Sequence, residues 1–372
     1  MEEASGTRLE DLWDDYSLEE KIAVIKDLVQ LERKMLQVPL NRYGSLYYAG
    51  ANIRGAVPAD TCAEIPAELK YTIRRRFVIG PLAERHYWSK ERAEMTLDRG
   101  PSYREEAWIQ QYATPRAEND PLATSATQNS PSSHISLLQK YRQVAPYLLP
   151  DDPVVVAPYI WHTDLHAGNI FIYNGKISSV IDWQGLWAAP LIIQARHPRL
   201  VDYNGEVILK APENFKQLDL AEKARIRGLM SCSILLYLYE KQIARELPLL
   251  NKILRFDHGR TRCNPVLFVG DTWEDDLLPF RESLIRLERC WNELGFDCPC
   301  PIHFTEDDLR VHAEESAGWN DVQDFWNSFA DVVSRDGCTP HHLYGDAVSL
   351  FTELRDIGLK AIVGKKRDAF EI

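Results

Sequence analysis

Asn174-Gly175 separates two short strand-like runs, 170–173 and 176–181. A type I′ turn needs φ > 0 at both central residues, and Asn-Gly accepts that most readily, so a two-residue hairpin is predicted here. Counting back from such a loop pairs Tyr173 with Lys176, Phe171 with Ser178 and Asn169 with Val180. Side chains alternate with period two, so Asp182 falls on the same face as Asn169. The two become diagonal neighbours with Cβ atoms about 7–8 Å apart. Oxygen ligands at that separation suit one Mg²⁺, held at about 2.1 Å from each oxygen. Asp164 lies five residues before Asn169, in the loop feeding the hairpin, where a carboxylate can orient an attacking hydroxyl beside the metal.

The rest of the chain frames this segment with helices. Ser17-Leu18-Glu19-Glu20 reads as a capping box. Behind it Leu18, Ile22, Ile25, Leu28, Leu31 and Met35 recur at spacings of three and four, one apolar stripe on a long helix. Residues 39–65 carry frequent Gly, Pro and Asn and read as an irregular packed connection; short helices are predicted over 66–77, 84–96, 103–113 and 135–148. The stretch 114–134 is rich in Pro, Ser, Thr and Asn, too poor in apolar side chains to offset ordering entropy, and is expected to be a mobile loop. Further helices are predicted over 217–246, 272–294, 305–316, 320–334 and 341–360, giving a helical C-terminal subdomain over about 215–372. Strands do not alternate with helices as a doubly wound sheet requires. The expected fold is therefore α+β, predominantly α, with one small β element in a single domain over 1–372.

Composition removes several function classes. Lys and Arg number 43 against 55 Asp and Glu, a net charge of −12 that gives general nucleic-acid binding no electrostatic support. No apolar run is long enough to span a membrane. The seven cysteines are odd in number and scattered, which points to a reducing, intracellular setting. The first thirty residues hold nine acids against Arg8, Lys21 and Lys26, the opposite of an organelle transit peptide.

His162-x-Asp164 with Asn169, a short hairpin and then Asp182 is the phosphoryl-transfer arrangement of kinases. The run His162-Thr163-Asp164-Leu165-His166-Ala167-Gly168-Asn169, followed by Ile181-Asp182-Trp183, resembles the aminoglycoside phosphotransferase family, a branch of the protein-kinase-like superfamily. Gln184-Gly185-Leu186-Trp187, Pro190-Leu191 and Gln194-Ala195-Arg196 are similar to a fungal branch of altered-inheritance-of-mitochondria proteins, as are Arg42-Tyr43-Gly44-Ser45-Leu46-Tyr47, Ile79-Gly80-Pro81 and Asp98-Arg99-Gly100-Pro101. The resemblance covers nearly the whole chain. It implies a kinase-like C-terminal lobe in which the hairpin carries the catalytic site. Asp164 becomes the catalytic base, Asn169 and Asp182 the Mg²⁺ ligands, and His162 a support of the catalytic loop. His166 is read as a hydrogen-bonding loop residue. ATP is the implied phosphate donor and an unidentified hydroxyl-bearing small molecule the acceptor. The fungal branch further implies a mitochondrial association.

A glycine-rich loop and a phosphate-pairing strand lysine, expected in an N-terminal lobe, are not found upstream of His162. Gly50-Ala51-Asn52-Ile53-Arg54-Gly55 has no following Lys-Ser/Thr and is not a P-loop. The chain reads as beginning where that lobe ends, either as part of a longer protein or as a product that lost the lobe; without it, activity is expected to fall by orders of magnitude. Two other readings remain beside the phosphotransferase: a non-catalytic pseudokinase or scaffold, and a zinc hydrolase using His162, Asp164 and His166. Cys298, Cys300 and His303 look like half a metal site and are read instead as a loop with buried thiols.

Overall fold

The computed structural model describes residues 3–84, 87–88, 93–96, 98–101, 131–274, 276–328, 332–333, 339 and 343–361. The chain divides into two compact units, Met1–His303 and Phe304–Ile372.

The first unit opens with β1 (Thr7–Arg8) and the helix α1 (Leu18–Leu36). Ser17 and Glu20 make the predicted capping box: Glu20 N donates to Ser17 Oγ at 3.3 Å and Ser17 N donates to Glu20 Oε2 at 2.8 Å. There follow β2 (Gly44–Tyr48), β3 (Val57–Pro58), α2 (Ala67–Arg76), β4 (Phe77–Gly80), α3 (Pro131–Leu148) and β5 (Pro158–Ile160). The hairpin is β6 (Ile170–Tyr173) and β7 (Lys176–Val180), and β8 (Trp187–Pro190) leads into the single turn α4 (Leu191–Gln194). The unit continues with α5 (Leu220–Glu246), α6 (Pro248–Leu254), α7 (Gly259–Phe268) and α8 (Leu278–Cys290). The second unit contains α9 (Glu306–Ser328) and α10 (Tyr344–Ala361), with Phe304, His312 and Ala347 buried.

The fold is α+β, but its β content exceeds the one small element expected. A three-stranded sheet, β1-β6-β7, carries the hairpin, and a separate five-stranded sheet has the order β3-β4-β2-β8-β5. Each neighbouring pair in the second sheet is antiparallel. Residues 39–65 are accordingly not an irregular connection, since they supply β2 and β3. The second sheet escaped the pattern because its strands run only two to five residues and are gathered from distant stretches of chain. Two other boundaries move. Residues 131–134 begin α3 rather than ending a mobile loop, and the rest of the loop reading, with the helix over 103–113, lies outside the described residues. The helices predicted over 305–316 and 320–334 are joined in the continuous α9. Among the described residues, no helix is long and apolar enough to cross a membrane.

The hairpin closes as predicted at its tip and slips along its length. Asn174 and Gly175 have φ of 52° and 70°, the left-handed pair a type I′ turn demands. Tyr173 pairs with Lys176 and Ile172 with Ile177, but a bulge then pairs Phe171 with Ser179 and Ile170 with Val180. Ser178 is the extra residue, its hydroxyl 3.1 Å from Phe171 O and 2.5 Å from Ser5 O. The bulge shifts the register by one, so Asn169 faces Ile181 rather than Val180, with Ile181 N donating to Asn169 O at 3.0 Å.

Packing fixes the sheet against the helices. Leu9, Val24, Ile170 and Ile172 form one buried cluster, joining the hairpin to α1. Leu40, Ala59, Ile79 and Ala188 form another inside the second sheet. Tyr141 of α3 and Phe280 of α8, both fully buried, meet edge to face at 5.7 Å between centroids. On α1 the inward stripe of Ile25, Leu28 and Val29 ends at Glu32, which is fully buried against Tyr239 of α5.

Candidate active site

The loop 161–169 hangs between β5 and the hairpin, and its hydrogen bonds place each predicted side chain. Residues 167–169 form a 3-10 turn capped by His166, whose Nδ1 accepts the Gly168 amide at 3.1 Å. With Nδ1 accepting, the neutral ring carries its proton on Nε2, which lies 3.6 Å from Asp164 Oδ2. A Cβ on Gly168 would stand 2.8 Å from His166 Cε1, so a larger residue there would push the imidazole away from the turn it caps.

Asn169, 6% exposed, ends this turn just ahead of β6 and stands opposite Ile181 rather than Val180, its counted partner. Its Nδ2 donates to the main-chain oxygen of Asp164 at 3.1 Å, which turns its own Oδ1 away from that carbonyl. Asp182 follows the end of β7 with a left-handed φ of 66°. The diagonal geometry derived for Asn169 and Asp182 therefore does not hold: one is in a turn, the other in a left-handed bend. What joins them is the Ile181 peptide. Its N–H bonds Asn169 O, and its C=O lies 2.9 Å from His162 Nε2. His162 is 2% exposed and packs edge-on against Trp183 at 5.0 Å, so it fastens the backbone immediately before Asp182. Its Nδ1 is buried without a hydrogen-bond partner.

Asp164 is the accessible member, with 46% of its side chain exposed. Its Oδ1 pairs with Arg199 Nη2 at 3.2 Å, and the Arg199 amide donates to Leu165 O at 3.1 Å. Arg199 thus grips the loop at two points and is the residue that sequence reasoning missed. It lies 35 positions downstream of Asp164 in no motif, and only the folded chain reveals the contact.

What the backbone bonds bring together are the Asp164 and Ile181 peptides, both tied to Asn169; the side chains of Asn169 and Asp182 carry hard oxygen atoms, the donor type that Mg²⁺ prefers. His162, Asp164 and His166 do not converge as a zinc site, because His162 Nε2 is taken by Ile181 O. Among the described residues, the group of His, Cys, Asp and Glu side chains whose ligand atoms come within 4.8 Å of one another is His258, Cys290 and Glu293. The thiols of Cys298 and Cys300 are half-buried rather than buried, and His303 pairs with Glu288 at 2.8 Å. A cavity of about 320 Å³ opens beside the loop, lined by Thr163, Glu84, Trp187, Gln194, Arg196 and Asp271 among others.

No protein-family profile matches the chain, and no solved structure matches it. Among curated proteins, it is 25% identical to a subtelomeric hrmA-associated cluster protein of Aspergillus fumigatus, over 87% of this chain and 70% of that protein. It is 26% identical to altered inheritance of mitochondria protein 9, mitochondrial, of Yarrowia lipolytica, over 81% of this chain and 54% of that protein. The Saccharomyces cerevisiae protein of the same name is 22% identical, over 78% of this chain and 52% of its own length. The chain thus spans about half the length of these mitochondrial relatives and resembles them along most of its own.

Proposed function

We propose that this chain carries the catalytic half of a kinase-like phosphotransferase, moving the γ-phosphate of ATP onto a hydroxyl of a small molecule. The observation that carries the reading is the shared fastening of loop and hairpin: Asn169 bonds Asp164 on one side and Ile181 on the other, so three functional side chains leave one rigid junction. Phosphoryl transfer is mostly positioning, which is what such a junction supplies. Asp164 accepts the proton of the acceptor hydroxyl as its oxygen attacks the γ-phosphorus, and the bond to the ADP oxygen breaks with its electron pair. His166 and Arg199 orient that carboxylate from its two oxygens. Asn169 and Asp182 would hold Mg²⁺, which supplies neutralisation of the phosphate charge. The mitochondrial names of the relatives support a mitochondrial association for this chain too.

The test is equilibrium binding of ATP with and without Mg²⁺. Asp182→Ala should lose nearly all Mg-dependent nucleotide binding while Asp164→Asn keeps it; unchanged binding in Asp182→Ala refutes the metal assignment. A second reading, a non-catalytic binding protein, draws on the Arg199–Asp164 ion pair, which occupies the base. Nucleotide binding without phosphoryl transfer, persisting in Arg199→Ala, would favour it.

A further inference from the structure

A second cavity, of about 700 Å³, lies against the first and has an unexpected charge. Its walls come from α4, α6, α7 and α8 and the segments between them, and among the described residues Arg196, Arg260 and Arg286 line it with no aspartate or glutamate. In a chain of net charge −12, three arginines facing one hollow without an acid depart from the bulk composition. The volume is within the range of small-molecule sites, roughly 300–1,000 Å³.

These cations are not neutralised from within. Among the described residues, the side chains of Arg260 and Arg286 form no ion pair or hydrogen bond. Arg196 spends one N–H on the carbonyl of Ala195 at 3.0 Å. It is reached by water yet surrounded by protein, and this desolvation lowers its pKa below the usual arginine value; the Cys263 thiolate, formed only at high pH, opposes the shift and the like charge of Arg260 adds to it. Cys263, also in the wall, offers no counter-charge, because burial pushes its thiol up to about 12. Two histidines of the wall already face carboxylates: His197 lies 3.5 Å from Glu240 and His258 lies 3.6 Å from Glu293. The N-terminus of α7 sits in the same wall without a side-chain cap, so its backbone dipole adds to the positive field.

The cavity also has a route to the catalytic loop. Arg196 and Leu267 line both hollows, and the smaller one is walled by Thr163, the residue before Asp164. We propose that the acceptor is itself an anion: a hydroxyl-bearing small molecule whose phosphate or carboxylate group rests on Arg196, Arg260 and Arg286 while its hydroxyl reaches toward Asp164. The assignment of the acceptor role rests on the phosphotransferase reading above; the oxyanion site does not. Guanidinium forks suit both phosphate and carboxylate. A cationic amine entering this cavity would meet the like charge of three arginines.

The experiment is calorimetric titration of the full chain with inorganic phosphate and, separately, glycerol 3-phosphate and acetate, with no nucleotide or Mg²⁺ present. Saturable binding of at least one oxyanion is expected. Arg260→Gln should weaken it about tenfold, and Arg260→Gln with Arg286→Gln by about a hundredfold. Arg260→Lys should recover part of the loss, and spermidine should not compete. Both arginines are solvent-exposed, so an unchanged melt checks that the variants fold. Absence of saturable binding, binding unchanged in the double variant, or competition by spermidine each overturns the site. None of these outcomes bears on Asp182, whose ATP titration fails or succeeds separately.

Discussion

Glu32 occupies the place on α1 where the apolar stripe calls for a hydrophobic side chain, and none of its surface is exposed. The Tyr239 hydroxyl donates to the carboxylate, lying 2.9 Å from Oε1 and 3.1 Å from Oε2. Beyond Tyr239 stand His197, whose ring centre is 5.8 Å from that of Tyr239, and Glu240 beside it, itself paired with Arg255 at 3.1 Å. Among the described residues no cation bonds Glu32 directly, and burial dominates, raising its pKa to about 8, with the Tyr239 bond opposing only in part. The same burial, with the acid beside it, raises the tyrosine well above its usual value. In the unfolded chain Glu32 loses its proton near the ordinary glutamate value of 4.5, whereas in the fold it keeps the proton to about 8. Its contribution to stability is therefore whole below that lower value and is lost as pH rises toward the upper one. By linkage the loss is about 3 kcal/mol at pH 7.

Glu32→Gln removes the ionisation while keeping the shape and an oxygen for the Tyr239 hydroxyl. The variant should be more stable than the parent at neutral pH, with an advantage that vanishes in acid. For a unit of this size each kcal/mol shifts the melting temperature by about 2 °C, so the variant should melt about 6 °C higher at pH 7. Melts of both proteins by circular dichroism at half-unit steps from pH 4.5 to 8 read this directly. Any fixed cost of seating the new amide hydrogens offsets the whole curve without changing its slope. A difference that stays constant across the range would refute the reasoning, because only a carboxyl with different folded and unfolded pKa values makes the gap grow with pH.

Two further substitutions test the packing of the site and of its support. His162→Ala frees the Ile181 carbonyl and opens space beside Trp183, so it should cost about 1–3 kcal/mol and lower Mg-dependent ATP binding together with the melting temperature. A melt that falls with binding intact would limit His162 to stability. Phe280→Ala empties the fully buried site against Tyr141 and should destabilise the first unit by about 3–5 kcal/mol, read as a lower denaturant midpoint; a loss under about 1 kcal/mol would mean α8 collapses onto α3.

Local chemistry was legible in this sequence wherever a short-range rule decides the outcome. The Ser17–Glu20 cap and the Asn174-Gly175 turn each depend on residues within a few positions, and both form as read. The hairpin register failed at Ser178 for a complementary reason: its hydroxyl meets Ser5 O, a contact with β1's flank that no period-two count contains. The consequence reaches the site, because one slipped residue replaces Val180 by Ile181 opposite Asn169. The strands of the second sheet are likewise too short for periodicity, and pairing between β2 and β8 joins Ser45 to Trp187 across nearly half of the unit's sequence. Glu32 and Arg199 show the same limit in side chains. A helical wheel places Glu32 seven positions after Ile25, on the buried face, but pairing with Tyr239 is a tertiary fact. Arg199 earns its place only by reaching Asp164. The motif supplies the donors, and long-range contacts decide how they point. The catalytic claim therefore rests on bonds to Ile181 and Arg199, which the motif does not include.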